Sequence, residues 1–245
     1  MPPIRHCHLV FARAFTLVEM LVSIAIVSVL MVLVFGVQSS VQARVKQAKC
    51  AANLSTQAKA VMFFAADNNG RFPYGWNVWY PTVWQKDISP YLGIPTTNTR
   101  STPGIVFQCP MITQGDINIA GAGAVSHGMN EFIIPQVALQ SDTPVKTVQS
   151  LATPSRVPLL GDIWLQNSDR MIAISKVPAG NTGNVAFRHN ISPAARPAKV
   201  PRPSGLTSFG GGKVNMVFCD GHGEALSPEE VANAGDNVLV WNPWK

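Results

Sequence analysis

FTLVEMLVSIAIVSVLMVLVFGV, from Phe15 to Val37, is the stretch that decides the architecture. Its one ionisable side chain is Glu19. As an α-helix rising about 1.5 Å per residue it extends roughly 34 Å, enough to cross a hydrocarbon core near 30 Å. The flank before it, residues 1–14, carries Arg5, Arg13, His6 and His8 and no acid. A basic flank on that side predicts that residues 1–14 stay in the cytoplasm and the rest is translocated. A secretory signal has an apolar run of about 7–15 residues followed by a small-residue cleavage site. This run is longer and passes into GVQSSVQARVKQAKCAAN without a turn residue. A plain signal anchor fits the length but gives no reason for Glu19. A carboxylate central in a span costs about 2.5–3.5 kcal/mol on insertion scales, and less near an end.

Helical character continues past the apolar run. No Pro occurs between Phe15 and Phe72, and Gly36 is the only Gly before Gly70. Val41, Val45, Ala48, Ala52, Ala58, Met62 and Ala65 recur at helical spacings with a gap at Ser55, which predicts one apolar face. Arg44, Lys46, Lys49 and Lys59 fall mostly on other faces. The helix should end at Asp67-Asn68-Asn69-Gly70, where Asn and Gly accept a left-handed cap and Pro73 follows.

RAFTLVEMLVSIAIV (Arg13–Val27) resembles the type IV prepilin and type II secretion pseudopilin family, whose members carry a short basic leader followed by an FTLVE segment. The resemblance implies that prepilin peptidase cuts between Ala14 and Phe15 and N-methylates Phe15. It also implies that Glu19, fifth in the processed chain, serves assembly by meeting the new α-amine of a neighbouring subunit. The family prefers Gly before the cut, and this chain has Ala14, which implies slower processing. Further on, KCAANLSTQAKAVMFFAADNNGRFP (Lys49–Pro73) looks like the second half of the helix in a large bacterial subgroup. That subgroup ends in a processing-associated domain with a His, a Gly-rich strand and an Asp-Gly pair. FQCP (Phe107–Pro110), SHGMN (Ser126–Asn130), LLGD (Leu159–Asp162), FRHN (Phe187–Asn190) and VNMVFCDGH (Val214–His222) stand in the order the subgroup implies. Residues 190–219 separate His189 from Asp220, far more than the subgroup's spacing. The excess holds SPAARPAKVPRPSG, whose composition reads as a solvated loop.

After Gly70 the pattern is β-rich with long loops. Strand candidates are Val157–Trp164, Met171–Val177, Val185–Arg188, Val214–Cys219 and Val238–Trp241. Asp220-Gly221 predicts a hairpin turn, and SPEE at Ser227–Glu230 has the form of a capping box opening a short helix. The fold class is α+β, a long N-terminal helix packed on an antiparallel sheet, pilin-like by the resemblance. The organisation is a leader (1–14), a transmembrane half-helix (15–37), a soluble half-helix (38–69) and a periplasmic globular domain (70–245).

Composition narrows the function. Of 245 residues 47% are hydrophobic and 13% charged, the opposite of a disordered chain. The net charge of +6 is scattered, and its densest cluster lies in the Pro-rich stretch without aromatics, so no nucleic-acid partner is expected. There is no GxSxG or GxxxxGK[ST], and Glu229-Glu230 do not face each other on a helix, so no enzyme is expected. His189, Asp220 and His222 are weak metal candidates, since predicted strands end at them, but a turn aspartate and surface histidines explain them more simply. No Asp-rich loop suggests calcium, and no cofactor is expected. Cys7 leaves with the leader; an oxidising space would allow a Cys109–Cys219 disulfide, and Cys50 reads as a small buried residue. Trp76, Trp79 and Trp84 read as core or loop anchors, with a partner-binding patch as the alternative.

The expectation is a membrane-inserted pseudopilin-like subunit assembled into a pilus or pseudopilus. Its expected partners are prepilin peptidase, other pilin subunits, the inner-membrane assembly platform and the lipid bilayer. It would be single-pass in the inner membrane, with a periplasmic domain, and after assembly part of a periplasmic or extracellular fibre. The alternatives are a signal-anchored periplasmic or surface binding protein that never polymerises, and a metal-dependent periplasmic enzyme using His189, Asp220 and His222.

Overall fold

The computed structural model describes residues 15–74, 76–77, 84–95, 105–112, 125–134, 136–137, 147–166, 170–171, 185–189, 212–232, 239–240 and 243. The chain divides into two compact units, Met1–Gln42 and Ala43–Lys245.

Helix α1 runs over Leu17–Asp67, 51 residues, as the absence of Pro and the single interior Gly predict. It opens on a reciprocal cap. Thr16 Oγ1 accepts the Glu19 amide at 3.3 Å, while the Glu19 carboxylate accepts the Thr16 amide at 2.8 Å and its hydroxyl at 2.9 Å. Two amides that a helix start leaves without partners are thereby satisfied. The far end stops where the Asn-Asn-Gly sequence places it. Asn69 and Gly70 take φ of 55° and 77°, and the Gly70 amide donates to the Ala65 carbonyl at 2.7 Å. Gly70 is also close-packed, since a Cβ there would sit 2.0 Å from Gln149 Oε1. Gly70→Ala should therefore lower stability by about 1–2 kcal/mol, the cost of a left-handed L-residue. Urea unfolding checks this, and an unchanged midpoint refutes it.

The buried face of the helix is not the one its Val and Ala spacing suggests. Val41 and Val45 are 49% and 60% exposed, and Ala48 and Ala52 are exposed as well. Of the expected face only Ala58 and Ala65 are buried, with Met62 half-buried. The face that packs inward is Cys50, Leu54, Gln57, Ala58, Val61 and Ala65. Two of its members, Cys50 and Gln57, carry polar atoms because a polar cluster lies beneath them.

Beyond the helix, β1 (Trp76–Asn77) and β3 (Gln136–Val137) form a small parallel pair. The main sheet has the order β5-β2-β4-β6-β7. Its members are β2 (Val125–Asn130), β4 (Pro158–Gln166), β5 (Arg170–Met171), β6 (Val214–Phe218) and β7 (Gly223–Leu226). β2, β4, β6 and β7 are antiparallel, and the two-residue β5 joins the β2 edge in parallel. This is an α+β, pilin-like arrangement, with one long helix and an antiparallel sheet. Strands β2 and β6 are buried at every residue.

The β6–β7 hairpin forms where the Asp-Gly pair predicts. The Phe218 amide donates to the His222 carbonyl and the Gly221 amide to the Phe218 carbonyl, both at 2.9 Å. Gly221 at φ 92° makes the left-handed step, so the turn uses Cys219 as well as Asp220-Gly221. Helix α2 (Trp84–Ile88) and helix α3 (Pro228–Ala232) are short. α3 has the expected capping box, with the Ser227 amide donating to Glu230 at 2.6 Å and the Glu230 amide to Ser227 at 3.3 Å.

Two strand expectations need correction, and a third lies almost wholly outside the described residues. Val185–Arg188 contributes only an isolated bridge from Val185 to Ile163. Leu239–Val240, from the Val238–Trp241 candidate, is not a strand, although the Val240 amide donates to the Arg156 carbonyl at 2.7 Å. Of Met171–Val177, only Met171 lies within the described residues, in β5. Trp84 is a core residue, fully buried and edge-on to Phe107 at 5.7 Å. Trp79 and most of the 190–212 insertion lie outside the described residues.

Candidate functional site

At the helix start, Phe15 is 74% exposed, and Ala14 lies outside the described residues. Glu19 bends back through its cap to Thr16, placing its carboxylate beside the residue that follows the expected new terminus. From Leu17 to Val32 the large apolar side chains face outward, Leu17 at 79% and Val32 at 73% exposure. Among the described residues no helix is long and apolar enough to cross a membrane. The described side chains of this run stop at Val32, those of 33–39 lying outside them, and a span needs about 20 apolar residues. The transmembrane expectation for 15–37 thus falls partly outside the described residues.

A second constellation lies in the core of the unit Ala43–Lys245. The register of β2 on β4 sets His127 opposite Asp162. Helix α1 contributes Cys50 and, two turns on, Gln57. The Ile105–Phe107 turn leads to Cys109, whose amide donates to Ser126 Oγ of β2 at 2.6 Å. Segment 185–189 is tied to β4 by the Ala186 amide on the Asp162 carbonyl, 2.9 Å. It is tied beside β6 by paired bonds between His189 and Lys213, 2.9 and 2.7 Å. Cys50, Gln57, Cys109, His127, Asp162 and His189 are all at most 1% exposed.

Their polar atoms converge. The Cys50 thiol donates to Asp162 Oδ1 at 3.2 Å, and its sulfur is 3.5 Å from His127 Nε2. His189 Nε2 lies 2.9 Å from Asp162 Oδ2 and 3.7 Å from Cys109 Sγ. Asp162 Oδ2 also accepts the Asn215 amide at 3.2 Å. Gln57 Nε2 donates to the Val106 carbonyl at 2.7 Å and lies 2.7 Å from His127 Nδ1. With the Gln57 NH2 group facing that carbonyl, the network assigns Nδ1 as the acceptor and the His127 proton to Nε2. The ring therefore aims an N–H at Cys50 and at Asp162 Oδ1, 3.7 Å away.

The electrostatics follow from this packing. Burial would raise Asp162, but the His189 bond and charge, then Arg188 and His127, hold it well below the usual carboxylate range. Burial would lower His189, but its bonds to Asp162 and Cys109 win and push it up to about 9. Burial takes His127 down to about 4, past the pull of Asp162, and keeps it neutral. Of the two thiols, Cys50 is pushed up by its bond to Cys109, by burial and by Asp162. Cys109 goes down, since the bonds from Cys50 and His189 outweigh its burial.

The expected trio of His189, Asp220 and His222 does not form as one site. Asp220 and His222 pair with each other at 2.6 Å on the exposed hairpin turn, the imidazole stacked on Phe218 at 4.2 Å. The expectation that Asp220 caps its turn fits, for its carboxylate accepts the His222 amide at 3.1 Å. His189 is not the surface histidine expected but belongs to the buried cluster, where it bonds the Asp162 carboxylate. The Cys109–Cys219 pairing is also corrected. Cys50, Cys109 and Cys219 are free and buried, and Cys109 lies with Cys50, whereas burial and then Asp220 push Cys219 up to about 12. Sequence reading passes over Cys50, Gln57, His127 and Asp162 as members of one cluster because separate segments supply them at no fixed spacing. The available signal is a His or an acid in three short motifs (SHGMN, LLGD and FRHN).

No curated protein and no solved structure matches the chain. Residues 11–35 match the family described as Prokaryotic N-terminal methylation motif, which marks the chain as type IV pilin- or pseudopilin-like at its N-terminus, with processing by a prepilin peptidase implied.

Proposed function

We propose that the chain is a structural subunit of a pilus or type II secretion pseudopilus. In this reading prepilin peptidase cuts between Ala14 and Phe15 and methylates Phe15. The Phe15–Val37 helix holds the subunit in the inner membrane until an assembly platform draws it into a fibre. The observation that carries this is the helix start. A methylation motif covers residues 11–35, and within it one carboxylate sits among outward-facing apolar side chains. Such a surface needs lipid or neighbouring helices to cover it. The role is structural rather than catalytic. Assembled, the globular domain is periplasmic or extracellular.

Mass spectrometry of the full-length protein extracted from membranes tests the reading. The expected mass begins at N-methylated Phe15. An intact Met1 terminus, or a cut after Val37, overturns it and leaves an anchored or secreted protein instead.

A further inference from the structure

We propose that Cys50, Cys109, Asp162 and His189 form a closed, structural binding site for a tetrahedral divalent cation of the zinc class. One ligand atom from each lies within 4.8 Å of all the others, and all four residues are buried.

The donor set is the first argument. Two sulfurs, one imidazole nitrogen and one carboxylate oxygen suit a cation of borderline softness, and magnesium or calcium would want oxygens throughout. Size is the second. With metal–sulfur bonds of about 2.3 Å and metal–nitrogen or –oxygen bonds near 2.0–2.1 Å, donors at tetrahedral angles stand roughly 3.3–3.8 Å apart. The observed contacts are 3.2 Å from Cys50 Sγ to Asp162 Oδ1, 2.9 Å from His189 Nε2 to Asp162 Oδ2 and 3.7 Å from Cys109 Sγ to His189 Nε2. The two carboxylate oxygens thus face different ligands, and with one oxygen chosen the four donors lie within 4.8 Å of one another. Closing that spread to the tetrahedral spacing takes shifts of up to about 1 Å, with one Asp162 oxygen turning to the cation.

Outer partners of the kind metal sites use surround Cys50, Cys109 and Asp162, while His189 Nδ1 has no hydrogen-bond partner among the described residues. Gln57 fixes His127 so that its Nε2–H faces Cys50 Sγ and Asp162 Oδ1. Asn215 holds Asp162 Oδ2 through its amide, and Ser126 holds the Cys109 backbone. The bound cation would take the place of the Cys50 thiol proton and of the proton between His189 and Asp162, which leave to solvent. Its charge would offset the repulsion among the thiolates and carboxylate it gathers.

Closure argues against a catalytic metal. All four positions are protein ligands, whereas a catalytic site keeps one open. The groove of about 590 Å³ between α1 and β6–β7, lined by residues such as Arg44, Ser55 and Glu224, includes none of the four ligands. The cation would fasten Cys109 and His189, which lie outside helices and strands, to α1 and β4. The site is independent of the assembly reading, since every ligand lies in the unit Ala43–Lys245.

The experiment uses full-length protein purified in detergent without chelator. Elemental analysis should find close to one zinc per chain. Exchange for Co2+ should give the thiolate-to-cobalt charge-transfer band and the intense visible bands of a tetrahedral ion. Cys50→Ser and Cys109→Ser should each abolish both signals. His127→Gln, which alters only an outer partner, should still bind but about ten- to a hundredfold more weakly. Should the cysteine variants not fold, thiol alkylation of the wild-type chain decides. Added Zn2+ should then protect Cys50 and Cys109 and leave Cys219 unchanged. Wild-type protein that carries no metal and takes up neither Zn2+ nor Co2+ overturns the proposal, as does a chain lighter by the two hydrogens of a Cys50–Cys109 disulfide.

Discussion

Glu19→Val should still insert and still be processed at Phe15, but should fail to assemble. Insertion improves because the substitution removes a carboxylate from an apolar helix, a gain of up to about 2.5–3.5 kcal/mol if the site is central in the bilayer and less near its edge. Assembly suffers because the acid is read as the partner of a neighbouring subunit's amine. Removing one member of a buried ion pair costs about 3–5 kcal/mol, a loss on the order of a hundredfold or more at each subunit contact. The Thr16–Glu19 cap offers a sharper version. Glu19→Gln retains a side chain able to accept the Thr16 amide, because Gln serves at that position of a capping box, but it has no charge. Should charge pairing drive assembly, the Glu19→Gln variant is as defective as the Glu19→Val variant in the sheared-fibre fraction. Should the cap alone matter, the Gln substitution restores assembly and the ion-pair reading falls.

Removing Asp162 should be the most damaging single substitution in the globular domain. The carboxylate is fully buried and carries the His189 bond, the Cys50 thiol and the Asn215 amide. Asp162→Ala strands those groups in the core, and breaking a buried pair costs about 3–5 kcal/mol. A domain of ordinary stability has only about 5–15 kcal/mol to lose. Asp220→Ala is the control, as its pair with His222 is on the surface and worth about 1 kcal/mol or less. Denaturant midpoints of the two variants should therefore separate widely. Equal midpoints would show that the buried network does not support the fold.

The contrast between these two aspartates shows what linear reading captures. Asp220 stands out because an Asp-Gly pair after an alternating strand is a local signal, and the hairpin it predicts is present. Asp162 is one letter in LLGD, with nothing nearby to mark it. Its weight comes from β2 pairing with β4 in a register that sets His127 opposite it. Strand β2 itself, VSHGMN, has a polar residue or Gly at four of its six positions and gives no period-2 pattern. It is a strand because both its faces are buried and its polar groups find partners there. The inward face of α1 escapes periodicity for the same reason. Val41 and Val45 satisfy the spacing but are exposed, while Cys50 and Gln57 break it and are buried.

The sequence alone determined the extent of α1 from its lack of Pro and its single interior Gly, its Asn-Asn-Gly stop, the Asp-Gly hairpin and the SPEE cap. Each of these depends on atoms within a few residues of one another, so local sterics and hydrogen bonding settle it. Tertiary structure decided which side of α1 packs inward and which cysteines meet. It also decided that His189 joins Asp162 and not Asp220. Those outcomes depend on segments far apart in the chain, and the buried donors select one another only once the sheet's register has brought them within reach.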